Sequence, residues 1–250
     1  MSNELLTVTE VADILRTTPN TIYRWLRAGK FPGVKIGKEW RIKKDVLEAR
    51  LFDSPPSSEA TYLDKLNGQQ DHIMAITSSP ATVYDLEAEF FKRGLREGRR
   101  LFKGCWWQKP DEVRAELSAR GLVVDDLEKR NMMAIVDLSD SFKKNGERGA
   151  VETWIDEANK SLAMGYGGMW GSGSPSFISC GNDISKLLNF ERSLDESLEK
   201  TAVTGICPYV LNMETKDCFT SLIHLINHHK GVLFYGPGPA ALLRRESARP

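Results

Sequence analysis

The 250-residue chain holds no apolar run approaching the roughly 18 residues that span a bilayer. Its first residues, MSNELLTV, lack the apolar stretch of a signal peptide. Both absences point to a cytoplasmic protein with no membrane partner. Cysteine is scarce, with Cys105, Cys180, Cys207 and Cys218 spaced too widely for a CxxC metal knuckle. A reducing cytosol also disfavours disulfides, so the four read as buried thiols. Net charge is absent as well: 34 Lys and Arg balance 34 Asp and Glu, which excludes a nucleic-acid binder held by bulk charge. No Ser/His/Asp order and no carboxylate pair stands in a recognisable catalytic arrangement. The expectation is therefore a non-enzyme, with no catalytic residue, no cofactor and no metal assigned.

What is present is unevenly distributed. Residues 1–50 hold ten basic against six acidic side chains, so a basic head is joined to an acidic body. A length of 250 residues suits two domains, and an apolar fraction of 41% can build a core in each.

In the head, Thr7-Val-Thr-Glu10 matches a capping box and predicts a helix start. Val8, Val11, Ala12 and Leu15 then recur at helical spacing as one buried stripe. Thr18-Pro19 opens a second helix, with threonine as N-cap and proline at the first helical position. Its inner face is Ile22, Trp25 and Leu26, and Gly29 is placed to end it. Two short helices across a tight turn make a helix-turn-helix. The outward face offers Asn20, Thr21, Tyr23, Arg24 and Arg27, with Thr18 at the cap, for base edges and phosphates in a major groove. Val34-Lys-Ile36 and Trp40-Arg-Ile42 alternate around Gly37-Lys38-Glu39, a hairpin whose Lys35, Lys38 and Arg41 would meet the backbone. A short helix from Val46 to Leu51 closes the predicted domain.

On these residues the head resembles the MerR/excisionase family of winged helix-turn-helix domains. The matching segments are Leu6 to Leu15, Thr21-Ile-Tyr-Arg-Trp-Leu-Arg-Ala-Gly29 and Lys35-Ile-Gly-Lys-Glu-Trp-Arg-Ile42. The resemblance implies double-stranded DNA as partner and a homodimer on repeated half-sites.

Residues 53–70, rich in Ser, Pro and Gln, read as a linker with at most one helical turn. Beyond it, strand-like runs alternate with helical stripes. Strands are expected at 73–77, 100–106, 132–138, 166–170, 203–211 and 231–235. Helices between them carry Val83, Leu86, Phe90 and Leu95; Pro110 to Gly121; Val151 to Gly165; 183–199; and Phe219 to Ile226. Such alternation means an α/β fold, a mostly parallel sheet with helices on both faces, over residues 71–237. Residues 238–250 read as a flexible tail.

Four segments of this body, His72-Ile-Met-Ala-Ile-Thr77, Phe90 to Gly98, Gly121 to Asp125 and Ala134-Ile-Val-Asp137, are similar to the RecA/KaiC-like fold. With Gly165-Tyr-Gly-Gly-Met-Trp170 and Cys207-Pro-Tyr209, they resemble more closely the MEDS sensory domain of methanogen and methylotroph regulators. That resemblance implies a small organic or C1-related effector. A phosphate loop needs GxxxxGK[ST] after the first strand, and the chain has Ser78-Ser-Pro-Ala-Thr82 there, with neither glycine nor lysine. Gly171-Ser-Gly-Ser-Pro175 is glycine-rich but also lacks lysine.

Open α/β sheets bind ligands at their carboxyl edge, which nominates Ser78, Ser79, Trp106, Trp107 and Asp137 for an effector. Either tryptophan could equally be core, and Asp137 a cap. His224 and His228, four apart on a predicted helix, could hold a metal, although basic groups near a helix C-terminus are the plainer account. The leading reading is a DNA-binding regulator under the control of its larger domain. Two others stand beside it: a diverged nucleotide-binding or ATPase-like protein, and an excisionase-like architectural factor that bends DNA without a ligand.

Overall fold

The computed structural model describes residues 5–14, 17–27, 33–37, 39–43, 62–66, 70–211, 218–236 and 240–244. The chain divides into two units, Met1–Ser57 and Ser58–Pro250.

In the smaller unit the reciprocal cap forms as its sequence dictates. The Thr7 amide donates to Glu10 Oε2 at 2.7 Å, and the Glu10 amide donates to Thr7 Oγ1 at 3.2 Å. Helix α1 (Val8–Ile14) starts there. Helix α2 (Pro19–Arg27) starts where the Thr21 amide donates to Thr18 Oγ1 at 3.3 Å. Strands β1 (Leu5–Thr7), β2 (Val34–Ile36) and β3 (Glu39–Lys43) make an antiparallel sheet in the order β1-β3-β2. Gly37, at a φ of +63°, supplies the left-handed residue of the β2–β3 turn. Leu6, Val8, Val11, Ala12, Ile22, Leu26 and Ile42 close over one another as a small core. Strand β1 was not expected, because Leu5-Leu-Thr7 lacks the apolar–polar alternation that marks Val34-Lys-Ile36. Leu15, the Trp25 side chain, Gly29, Lys38 and the helix expected at 46–51 lie outside the described residues.

The larger unit is built on seven strands: β4 (Asp71–Thr77), β5 (Arg100–Cys105), β6 (Met133–Asp137), β7 (Met169–Ser172), β8 (Val203–Val210), β9 (Gly231–Tyr235) and β10 (Ala241–Arg244). They lie in the order β10-β9-β4-β8-β7-β5-β6, all parallel except β10, which runs antiparallel to β9. Helices α3 (Pro80–Arg96), α4 (Pro110–Ala119) and α5 (Val124–Lys129) pack with one set of strand side chains, among them Ile73, Leu101 and Ile206. Helices α6 (Leu138–Ala163), α7 (Ile184–Leu198) and α8 (Cys218–Ile226) pack with another, including Phe102, Met74 and Cys207. A parallel sheet covered on both faces explains why its strands read as unbroken apolar runs.

Four expectations are corrected. The tail is not wholly free: Ala241–Arg244 pairs as an edge strand, and Arg244 grips buried Asp71 through two nitrogens at 2.6 and 2.8 Å. The linker ends early, since Tyr62, Leu63 and Leu66 are buried in the core of the larger unit. Strand β7 starts at Met169 rather than 166. Gly165 and Gly168, at φ of +85° and +141°, first turn the chain out of α6, and a Cβ at Gly168 would lie 2.4 Å from the Ala202 carbonyl oxygen. Helix α6 begins at Leu138, well ahead of the predicted stripe, and breaks at Gly146 (φ 65°, ψ −155°).

The glycine-rich run that begins within β7 serves packing. A Cβ at Gly171 would sit 2.2 Å from Trp154 Cζ3, so this glycine makes room for the indole against the sheet.

Within the sheet, Lys103 on β5 and Glu87 on α3 form an ion pair at 2.5 Å, with both side chains almost wholly buried, and Ser172 donates to the same carboxylate at 2.6 Å. Breaking such a pair from one side strands a charge in the interior. Lys103→Met is expected to destabilise the unit by about 3–5 kcal/mol, whereas Lys103→Met with Glu87→Leu recovers most of that loss. Urea unfolding midpoints measure both, and an equal loss in the single and double variants would contradict it.

Candidate functional site

The outer face of α2 is prepared by its cap and by what it buries. Ile22 and Leu26 point inward, leaving Asn20, Arg24 and Arg27 exposed. Thr18 is exposed and Thr21 half-buried, with their hydroxyl oxygens 3.0 Å apart. Tyr23 is half-buried and carries the Arg27 guanidinium 6.0 Å above its ring, which limits where that cation can reach. On the hairpin, Lys35 is exposed, and Arg41 is tied to Glu39 at 2.5 Å. An exposed pair of this kind contributes little, so a phosphate can displace Glu39 at small cost.

In the larger unit the five nominated effector residues follow three strands at the carboxyl edge. Ser78 and Ser79 come directly after β4. Trp106 and Trp107 come after β5, and Asp137 ends the neighbouring β6 opposite Cys105. Strands β8 and β7 separate β4 from β5, so two strands lie between the serines and the tryptophans. Ser79 is the N-cap of α3, its hydroxyl accepting from the Thr82 amide at 3.2 Å. Asp137 caps α6. Its slight burial would raise its pKa, but bonds from the Ser139 hydroxyl at 2.6 Å and the Asp140 amide at 3.2 Å outweigh that and lower it. Trp106 turns into the core, edge-on to Phe142 and Phe190 with ring centroids 5.4 and 5.0 Å away. Trp107, 37% exposed, is the tryptophan that meets solvent.

Elsewhere, polar side chains converge deep in the interior. Glu191 lies on α7 with its carboxylate fully buried. Its Oε1 accepts a short hydrogen bond from Tyr209 of β8, and its Oε2 lies 3.3 Å from the Nε2 atoms of both His72 and His229. His72, on β4, also sets Nε2 3.2 Å from Cys207 Sγ of β8. The outer nitrogens are anchored as well: His72 Nδ1 is 3.0 Å from Asp195 Oδ1, and His229 Nδ1 is 2.7 Å from the Leu225 carbonyl oxygen. The two imidazoles face each other with centroids 4.2 Å apart. Among the described residues, His72, Glu191, Cys207 and His229 are brought together with their candidate ligand atoms within 4.8 Å of one another.

Charge in this cluster is set by neighbours against burial. Burial would raise the Glu191 pKa, but bonds to His229 and His72 and their positive charge hold it below the ordinary carboxylate range. Burial would lower His72, yet Cys207, Asp195 and Glu191 together lift it well above 6.5. His229 is lowered, first by burial and then by the charge of His72. The Cys207 thiol is pushed up to about 12 by burial and by Glu191.

Sequence reading missed this cluster, and its spacing explains why. His72 is 123 residues from Asp195 and 135 from Cys207, so no local pattern links them. The nominated His224 is exposed and His228 only half-buried, whereas His229, one position further on, is the one turned inward. The available signals were two of the family-like segments, His72 to Thr77 and Cys207-Pro-Tyr209, which between them supply three of these side chains.

Comparison with known proteins agrees with this division. Residues 5–51 match a family described as a helix-turn-helix domain. Two proteins of Mycobacterium tuberculosis, from strains CDC 1551 / Oshkosh and ATCC 25618 / H37Rv, are each 38% identical over 55 residues, covering 20% of this chain and 70% of theirs. Their names describe them as candidate DNA-binding proteins. In structure, the chain is similar to a KaiC-like protein from Pyrococcus horikoshii OT3, with a TM-score of 0.54 and 13% identity over 72% of this chain and 80% of that one. At that identity the likeness shows the fold alone. Residues 71–230, more than half of the chain, match the methanogen/methylotroph, DcmR sensory domain, and the chain belongs to this MEDS family, with a helix-turn-helix domain at its head.

Proposed function

We propose that the protein is a cytoplasmic transcriptional regulator whose helix-turn-helix reads an operator while its MEDS domain answers to a small organic or C1-related effector. The observation that carries the DNA half is α2: a side-chain-capped helix whose buried Ile22 and Leu26 leave Asn20, Arg24 and Arg27 exposed. Exposed Asn and Arg side chains along such a helix suit major-groove base edges, and Lys35 and Arg41 of the wing suit phosphates, as does Lys38 by its place in the sequence. One reader of this size spans a short half-site, so a homodimer on repeated half-sites is the expected binding form.

The larger domain acts by binding rather than by turnover in this reading. The β4–α3 turn, where a RecA-type ATPase carries its phosphate loop, has no lysine, and its Ser79 hydroxyl is spent on the α3 cap. Effector control requires a ligand that binds two states of the protein unequally, and a coupling of about 1–3 kcal/mol is typical. Residual nucleotide binding is the second reading, favoured by the KaiC-like fold. Thermal stabilisation by ATP with magnesium would support it.

Two sets of substitutions test the reading. Arg24→Ala is expected to cost about 1–3 kcal/mol of operator binding and to relax discrimination at one base step. Lys35→Ala should weaken all sequences alike and lower the salt slope of log K by about one. Equal losses with unchanged specificity in both would place Arg24 on phosphate only. For the effector, Trp107→Ala should leave stability within about 0.5 kcal/mol, while Trp106→Ala should cost about 3–5 kcal/mol through its core contacts. Loss of a ligand's thermal shift in Trp107→Ala supports a site at the carboxyl edge; an unchanged shift moves the site elsewhere.

A further inference from the structure

We propose that His72, His229, Cys207 and Glu191 hold one zinc-class divalent cation in the interior of the MEDS domain. The proposal stands independently of the DNA reading and concerns neither the carboxyl edge nor the nominated His224 and His228.

The first ground is the orientation of the imidazoles. His229 Nδ1 faces a carbonyl oxygen and His72 Nδ1 faces a carboxylate oxygen, and both partners only accept, so each Nδ1 carries a proton and donates. In the neutral rings both Nε2 lone pairs then point into the cluster. This is the outer-shell arrangement of metal-bound histidine, in which a carboxylate or carbonyl fixes the tautomer and aims the other nitrogen. The lone pairs meet a third acceptor, Glu191 Oε2, whose sister oxygen is satisfied by Tyr209. These electron-rich atoms facing one another in a dry interior require positive charge among them, carried by a proton on His72 Nε2 in the metal-free protein and by the ion once it is bound.

The second ground is distance. A charge-assisted N–H···O bond closes to about 2.7–2.9 Å, but Oε2 stands 3.3 Å from both Nε2 atoms. Ligands held about 2.0–2.3 Å from a tetrahedral ion are separated by about 3.3–3.8 Å along the edges. The two N···O separations match an edge of such a tetrahedron, and the 3.2 Å between His72 Nε2 and Cys207 Sγ, a hydrogen-bond distance in the metal-free protein, lies just inside one. The widest pair, within 4.8 Å, needs to draw in by about 1 Å to join the same tetrahedron.

The donor set selects the ion. Two imidazoles, a thiolate and a carboxylate are borderline-soft, which suits Zn²⁺ or Co²⁺ and disfavours Mg²⁺ or Ca²⁺. Binding replaces the Cys207 S–H bond by an S–metal bond and the His72 Nε2–H bond by an N–metal bond, and both protons are released to solvent with no change of oxidation state. Four protein ligands leave no open position, so the ion ties β4, β8, α7 and the segment before β9 together as a closed site.

The test uses the full chain produced in zinc- or cobalt-supplemented medium and washed with a chelator. About one zinc per chain should remain by elemental analysis. X-ray absorption of that ion should show one sulfur near 2.3 Å and nitrogen or oxygen neighbours near 2.0–2.1 Å. The cobalt form should show the visible bands of a tetrahedral ion and a sulfur-to-cobalt charge-transfer band. That band should vanish in Cys207→Ser and persist in Cys105→Ser, Cys180→Ser, Cys218→Ser and the double variant His224→Gln/His228→Gln. Folded wild-type protein that retains no metal would overturn the proposal. So would a coordination shell without sulfur, or a charge-transfer band that depends on another cysteine or on His224 and His228. If Cys207→Ser fails to fold, the sulfur shell of the wild-type protein decides alone.

Discussion

Glu191 is a carboxylate that the fold has placed beyond the reach of water. Burying an ion costs several kcal/mol unless every lone pair is answered. The groups around it assemble much of the larger unit: Tyr209 of β8 donates to Oε1, while His72 of β4, with Cys207 of β8 behind it, and His229 from the turn before β9 close on Oε2. These partners can meet only if β9, β4 and β8 lie side by side beneath α7, as the sheet order has them. On the α3 side, Lys103 and Glu87 repeat the arrangement on a smaller scale, with Ser172 sharing the carboxylate. The sheet interior thus depends on polar geometry as well as on apolar area, and substitutions at these positions disturb position before they disturb volume.

What was legible in the sequence was local. The Thr7/Glu10 box, the Thr18-Pro19 start and the turn around Gly37 each encode their own hydrogen bonds or φ angles within a few residues, and each appears as read. The parallel α/β body was legible because buried strands read as apolar runs and helices as stripes. Three short elements were not: β1 and β10, of three and four residues, lack the apolar–polar alternation that marks the equally short Val34–Ile36, and α5 spans six residues, under two helical turns. Strand β10 depends on a contact from Arg244 to Asp71, 173 positions away, which no pattern in the tail announces.

The candidate site divides along the same line. Arg24 and Asn20 could be placed because helical spacing fixes which side of α2 they occupy. Trp106 and Trp107 are adjacent in sequence, yet the first is core and the second is 37% exposed, a distinction made by Phe142 and Phe190 from distant helices. The histidines show the limit most clearly. A spacing of four pointed to His224 and His228, but α8 ends at Ile226 and the following turn swings His229 inward instead.

The two units differ in kind: a small capped head exposes cations, and a larger body contains a buried polar centre. The central claim is that the head reads sequence, not charge alone. Selection of binding sites from random duplexes by the full chain, followed by affinities for the selected and scrambled sites at one salt concentration, tests it most directly. The account predicts an enriched motif bound at least about 10³-fold more tightly than its scrambled counterpart. A pool without enrichment, or equal affinities for the two duplexes, would contradict it.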